Sequence, residues 1–215
     1  MERTVRLLDD VVAGAFRLAA RLRSAKAVHT VGTVVAADVV RHGLQPGTGV
    51  PWIDEAGVDR AVVRFSRGAG LPAPLPDVLG IAVRVSSPEG DPWDLLLASS
   101  ADRWPARRFP LPSAHWRRPT YSSVSAFHTA RGLLVVGARW RDGRFLLAVA
   151  EPRGPWRPFA ELRLLDDPST APEQVITYDP VLHPFPGLEM PVGWQHVREA
   201  AYAGSRDGRS GAHHG

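Results

Sequence analysis

The sequence predicts one α+β domain whose core is an antiparallel β-barrel, with a helix at each end of the chain. Three observations predict it. Short runs of β-branched and large apolar residues follow one another between residues 28 and 179, each bounded by Gly or Pro. The links between successive runs are short, so neighbours in sequence pair locally and antiparallel. Finally, 20 Gly and 20 Pro in 215 residues supply turns rather than a helical bundle.

The chain opens with "MERTVRLLDDVVAGAFRLAARLR", in which Leu8, Val11, Val12, Phe16 and Leu22 recur near helical spacing. Acids at its centre interrupt any continuous apolar stretch, so it reads as a packed helix rather than a signal peptide. Strands follow at 28–39, 61–66, 79–87 and 93–99. Residues 100–120 mix prolines, arginines and bulky aromatics and read as an irregular loop. "LLVVGARWRDGRFLLAVAEP" (133–152) is a hairpin around Asp142-Gly143, a dipeptide suited to a tight turn. Further strands are expected at 160–166 and 174–179. Prolines at 180, 184, 186 and 191 end the strands, and residues 192–206 form a closing helix. One domain spans 1–206, and the Gly-, Ser- and His-rich tail 207–215 is expected to be disordered.

Composition narrows the chemistry. There is no cysteine, which excludes disulfides, thiolate metal sites and a Cys nucleophile. Of 26 basic residues only Lys26 is lysine, a usage expected of GC-rich bacterial coding. A net charge of +4 is spread along the chain, without the clustered basic and aromatic stripe that nucleic acid requires. No run of about 18 apolar residues is present, so no membrane helix is expected, and the cytoplasm is the default location.

No nucleophile elbow, Walker loop or dinucleotide fingerprint occurs, and "RGAG" at 67–70 reads as a turn. Asp179, His183 and His196 could meet around a metal, but they lack the HExxH spacing. Arg198 and Tyr202 stand four apart in the closing helix, which by itself describes an ordinary pair on one helix face.

The segment "VVRFSRGAGLPAPLPDVLGIAVRVSSPEGDPWDLLLASS" (62–100) resembles the catalase family. Its VRFS, its turn, its strand with Asp77, Gly80, Ala82 and Arg84, and its Trp93-Asp94-Leu95 fall in that family's register. "RLRSAKAVHTVGTV" (21–34) is similar to the segment that leads into the family's first strand, and "GPWRPFAELRL" (154–164) to the sheet of its smaller members. "YDPVLHPFPGLEMPVGWQHVREAAYAGSR" (178–206) resembles the Pro-rich turn and R-x-x-x-Y helix that close it.

The resemblance implies haem b with Tyr202 as the proximal iron ligand and Arg198 against its phenolate. The physics fits: a free phenol ionises at about pH 10, and an opposite charge nearby lowers a pKa by about 1–3 units. It also implies arginines for the haem propionates, with Arg21, Arg64 and Arg209 at the corresponding places. An arginine inside the apolar strand "AVVRFS" must either face water or meet an anion.

On the distal side the pattern breaks. Ser24 stands where the family has its acid–base histidine, and Ala98 where it has the asparagine that orients peroxide. Serine is no base at neutral pH and alanine has no donor. His29 could substitute only if the strand is displaced, and Ser66 and Ser99 remain as polar groups near the distal face.

The chain therefore reads as a reduced, catalase-like haem protein. The first functional reading is a haem-dependent oxidoreductase, of peroxidase, hydroperoxide or N–O type, in which true catalase activity is not expected. Its partner is a small-molecule substrate, a hydroperoxide being one candidate, and a homodimer is an allowed assembly. The second reading is a non-catalytic haem carrier or sensor. The third is a haem-free barrel that holds a small apolar ligand.

Overall fold

In the computed structural model, residues 31–87, 90–180 and 182–190 are described. The expected helices at 1–23 and 192–206, and the tail 207–215, lie outside them.

β1 (Val31–His42), β2 (Ala56–Arg67), β3 (Asp77–Ser86) and β4 (Pro92–Ser100) form an antiparallel meander. A four-residue helix, α1 (Pro51–Asp54), bridges β1 and β2. After β4 come a 3-10 turn at Ala106–Arg108 and a two-residue strand, β5 (Pro112–Ser113), which pairs with β3. β6 (Thr120–Ser122) and β7 (Phe127–Thr129) are three residues each. β8 (Gly132–Arg141) and β9 (Arg144–Ala150) form the expected hairpin, and β10 (Arg157–Leu164) pairs with β9. A short β11 (Glu173–Val175) pairs with the start of β1.

The sheet closes on itself. β1 pairs with β10 over Ala37–Arg41 and Ala160–Leu164, so eight strands run β1-β2-β3-β4-β6-β8-β9-β10 and back to β1. Closure satisfies the backbone donors and acceptors that an open edge would leave unpaired.

Alternation along each strand decides what enters the barrel. Val35, Ala37 and Val39 of β1 point inward with Ala61, Val63 and Phe65 of β2 and Ile81 and Val83 of β3, all of them buried. Each fully buried Val, Leu, Ile or Phe contributes about 1.5–3 kcal/mol. In β10 the register shifts between Pro158 and Ala160, which is why Phe159 and Ala160 are both buried although adjacent.

The two barrel ends differ. At the end where β1 finishes, Trp52 of α1 packs on Phe159 and Phe185, at 5.6 and 4.6 Å between centroids, and Phe185 on Trp93 at 5.6 Å. The Trp52 indole donates to Asp59 (3.0 Å), whose carboxylate also holds Arg41 at 2.7 Å. At the other end Phe65, Trp116, Trp140 and Phe145 form a second aromatic layer.

The turn of the β8–β9 hairpin is as expected: Asp142 and Gly143 both have positive φ, 48° and 82°, the mirror-image turn that suits twisted strands. "RGAG" is a turn as read: the Asp77 carboxylate accepts the N–H of Ala69 at 2.8 Å and of Leu71 at 3.0 Å. Strand 174–179 is shorter than expected, because Thr177 and Tyr178 leave the sheet. The loop 100–120 contains the unforeseen 3-10 turn and β5.

Ser99 is a correction. It is fully buried inside the barrel, not near the outer face. Its hydroxyl accepts the Leu79 N–H (2.9 Å) and donates to the Leu111 carbonyl (2.6 Å), stitching the loop after β4 to the core. Ser99→Ala is therefore expected to destabilise the fold by about 1–3 kcal/mol, the cost of orphaning buried backbone groups. Urea unfolding monitored by tryptophan fluorescence should show a lower midpoint with an unchanged slope.

Candidate functional site

The outward-facing residues of β1–β4 form rows set by the strand register. One row runs Val34, Arg64, Ala82 and Leu96, and the next runs Val62, Arg84 and Asp94. A third runs Ser66, Gly80, Ala98 and Ser122. Their strand neighbours Val63, Phe65, Ile81, Leu95 and Leu97 fill the core, so these rows lie on the outer face.

Arg64 of β2 is a charged residue enclosed in the outer face. It is only 9 % exposed, and no carboxylate bonds to it among the described residues. Instead its Nη1 donates to the Ile176 carbonyl, and its guanidinium lies 4.9 Å from the centre of the Tyr178 ring. Its Nε is buried and has no hydrogen-bond partner. Burial lowers the Arg64 pKa, against the pull of Tyr178 and Asp94. An arginine stays charged nonetheless, so this is a buried cation with one free donor.

Arg84 approaches the same Tyr178 ring, also at 4.9 Å. The phenol is thus flanked by two guanidiniums that stack on its π system. Burial raises the Tyr178 pKa, while the two arginines pull it down.

Asp94 holds the face together. Its buried carboxylate takes Arg84 in a fork, Nε at 2.7 Å and Nη2 at 2.6 Å, and accepts the Asp179 N–H at 2.7 Å. Its own N–H donates to the His183 carbonyl at 2.8 Å. The Arg84 pKa is raised, chiefly by that hydrogen-bonded carboxylate. Strand β4 thereby anchors the segment 176–183, which lies just before the R-x-x-x-Y stretch in sequence. Sequence reasoning placed Asp94 in a familiar register but gave it no task. The usable signal was its pairing opposite Arg84 across two adjacent strands, both on the non-core face.

Ala98 sits between Gly80 and Ser122, and its methyl offers neither donor nor acceptor. Ser66 lies on this outer face, with its hydroxyl against Gly80: a Cβ there would meet it at 2.9 Å. Ser122, not foreseen, is fully buried beside Ala98 and accepts the Val124 N–H at 3.0 Å. Of the other sequence-predicted residues, Arg21, Ser24, His29, Arg198, Tyr202 and Arg209 lie outside the described residues. Asp179 and His183 are joined through backbone, His183 N–H to Asp179 O at 2.9 Å, and no group of three metal-ligating side chains occurs among the described residues.

The arrangement suits binding rather than proton transfer. It presents a buried cation with a spare donor beside a wall of small side chains, and a salt-bridged strut that fixes the covering segment. Asp94→Ala is expected to cost about 3 kcal/mol, because Arg84 loses its counter-charge in a partly buried site. Limited proteolysis of the variant should cut within 176–183 well before the wild type is cut there.

No protein-family model matches the chain, and no curated protein matches it. Solved structures do. A bacterial catalase superimposes with a TM-score of 0.55 at 14 % identity, over 84 % of this chain and 56 % of its own. A fungal catalase superimposes with a TM-score of 0.53 at 12 % identity, over 80 % of this chain and 56 % of its own. The chain spans little more than half the length of these neighbours. Among the described residues no helix is long and apolar enough to cross a membrane. The fold is that of the catalase-like β-barrel.

Proposed function

We propose that this chain binds haem b on the outer face of β1–β4 and works as a haem-dependent oxidoreductase on a substrate other than hydrogen peroxide. A hydroperoxide or an N–O compound is the chemical class. The observation that carries the reading is Arg64, a buried guanidinium with an unpartnered Nε on the outer face of a catalase-like barrel. A propionate is the kind of anion that donor would take. Gly80, Ala82 and Ala98 supply small side chains beside it, where a flat ring could approach the sheet.

In this reading Arg64 holds one propionate, with Arg21 and Arg209 as the other cations. Tyr202 ligates the iron and Arg198 keeps its phenol ionised. Haem, if bound, would supply redox-active iron chemistry, and the Tyr202 phenolate would be the residue that holds the iron. Asp94 and Arg84 do not touch the cofactor; they hold the segment 176–183 in place.

The distal residues argue against dismutation of hydrogen peroxide. Ala98 cannot orient a peroxide, and Ser24 cannot take its proton near neutral pH. His29 is the remaining candidate for proton transfer. If it does not act, the substrate carries its own exchangeable proton. The same two residues favour a second reading, a haem carrier without turnover.

The protein is to be purified, loaded with haem and its absorption spectrum recorded beside those of Tyr202→Phe and Arg64→Gln. Expected are a high-spin ferric spectrum of tyrosinate type, its loss in Tyr202→Phe, and haem affinity lowered about tenfold in Arg64→Gln. Oxygen release from hydrogen peroxide should be at least about a hundredfold below that of a true catalase, while an organic hydroperoxide is consumed. Haem binding without hydroperoxide turnover would select the carrier. No Soret band in any of the three proteins would overturn both readings.

A further inference from the structure

Among the described residues, the barrel end where β1 begins is not plugged like the other. A cavity of about 770 Å³ opens there, within the range of small-molecule sites. Its inner wall is aromatic and already rigid. Trp116 meets Phe65 edge-on at 5.2 Å, Trp140 meets Phe145 edge-on at 4.9 Å, and Phe65 and Phe145 lie 6.0 Å apart. Each ring is fixed by another, and the Tyr121 hydroxyl ties the loop in place by donating to the Trp116 carbonyl at 2.8 Å. Trp116 and Trp140 are only half-buried, so part of each indole remains open.

The rim has a sign. Arg117 and Arg118, both exposed, line the cavity, and Arg117 lies 4.7 Å over the Trp140 ring. Asp167 is the only acid among the described lining residues. Its carboxylate accepts the Ser169 N–H at 2.9 Å and hydroxyl at 2.8 Å and lies within electrostatic reach of Arg117, so one acid stands against two arginines. An apolar, ring-lined floor beneath a net positive rim selects a molecule of matching polarity.

We propose that this barrel mouth binds a planar aromatic carboxylate or sulfonate, its rings among Trp116, Trp140 and Phe145 and its anionic group at Arg117 and Arg118. Rings stack on rings and on the Arg117–Trp140 pair, while the guanidiniums make charge-assisted hydrogen bonds to the anion. The site is inside the barrel end, whereas Arg64 lies on the outer face, so it stands independently of the haem reading.

The test is calorimetric titration of the full chain with 2-naphthoate, with 2-naphthalenemethanol as the neutral counterpart. Expected is saturable one-site binding of the acid, at least about tenfold tighter than the alcohol. Trp140→Leu, which keeps an apolar side chain there, should weaken the acid severalfold. The double variant Arg117→Gln/Arg118→Gln should bring the acid down to the affinity of the alcohol, while Arg64→Gln binds it as the wild type does. No saturable heat up to millimolar naphthoate would overturn the proposal. So would equal affinity for acid and alcohol, or loss of binding in Arg64→Gln, which would place the ligand on the outer face.

Discussion

Pairing of β1 with β10 is the constraint on which the rest depends. Before closure, eight short strands have two ragged edges and no inside. Once Ala37–Arg41 lies against Ala160–Leu164, every strand acquires one face that is buried and mostly apolar and one that must be covered or wetted. The interior then fills to about the density of any protein core, and the side chains left outside are sorted into rows by the register. Arg64, Arg84 and Asp94 are adjacent for that reason alone: they belong to three different strands and share only the pleat.

The outer face illustrates how buried charge is made tolerable. Asp94 and Arg84 satisfy each other in a fork, with the remaining carboxylate capacity taken by a backbone N–H. Arg64 is treated differently. It shares a ring with Arg84, bonds one carbonyl and keeps a buried donor without a partner. The two neighbouring arginines are thus satisfied to different degrees, Arg84 by a carboxylate fork and Arg64 by a single carbonyl.

The two ends of the barrel use the same residue types to opposite effect. At one end Trp52, Phe159, Phe185 and Trp93 interlock, and the Trp52 indole is bonded to Asp59, so the ring layer is a plug. At the other, the rings brace each other against the wall, and among the described residues a cavity lies between them. Closure of the plugged end depends on α1, a single turn between β1 and β2 that has no counterpart opposite among the described residues.

By itself the sequence determined the local geometry. Runs of β-branched and large apolar residues sufficed for β1 to β4, because each is long enough to stand out between its Gly and Pro breakers. Asp142-Gly143 sufficed for the hairpin, because a turn with two positive φ values admits few residues. β6 and β7 escaped because three residues hold no period, and β11 ended early because Tyr178 gains more by stacking between two arginines than by extending a ladder. The motif match marked Arg64 as special, but only the tertiary structure decided that it lies buried on a phenol and a carbonyl. Only the tertiary structure turned Ser99 inward, made Asp94 the strut of the outer face, and opened one end of the barrel while closing the other. Those outcomes depend on which residues 20 to 112 positions apart come into contact, and contacts at that range are set by the tertiary fold and carry no local signature.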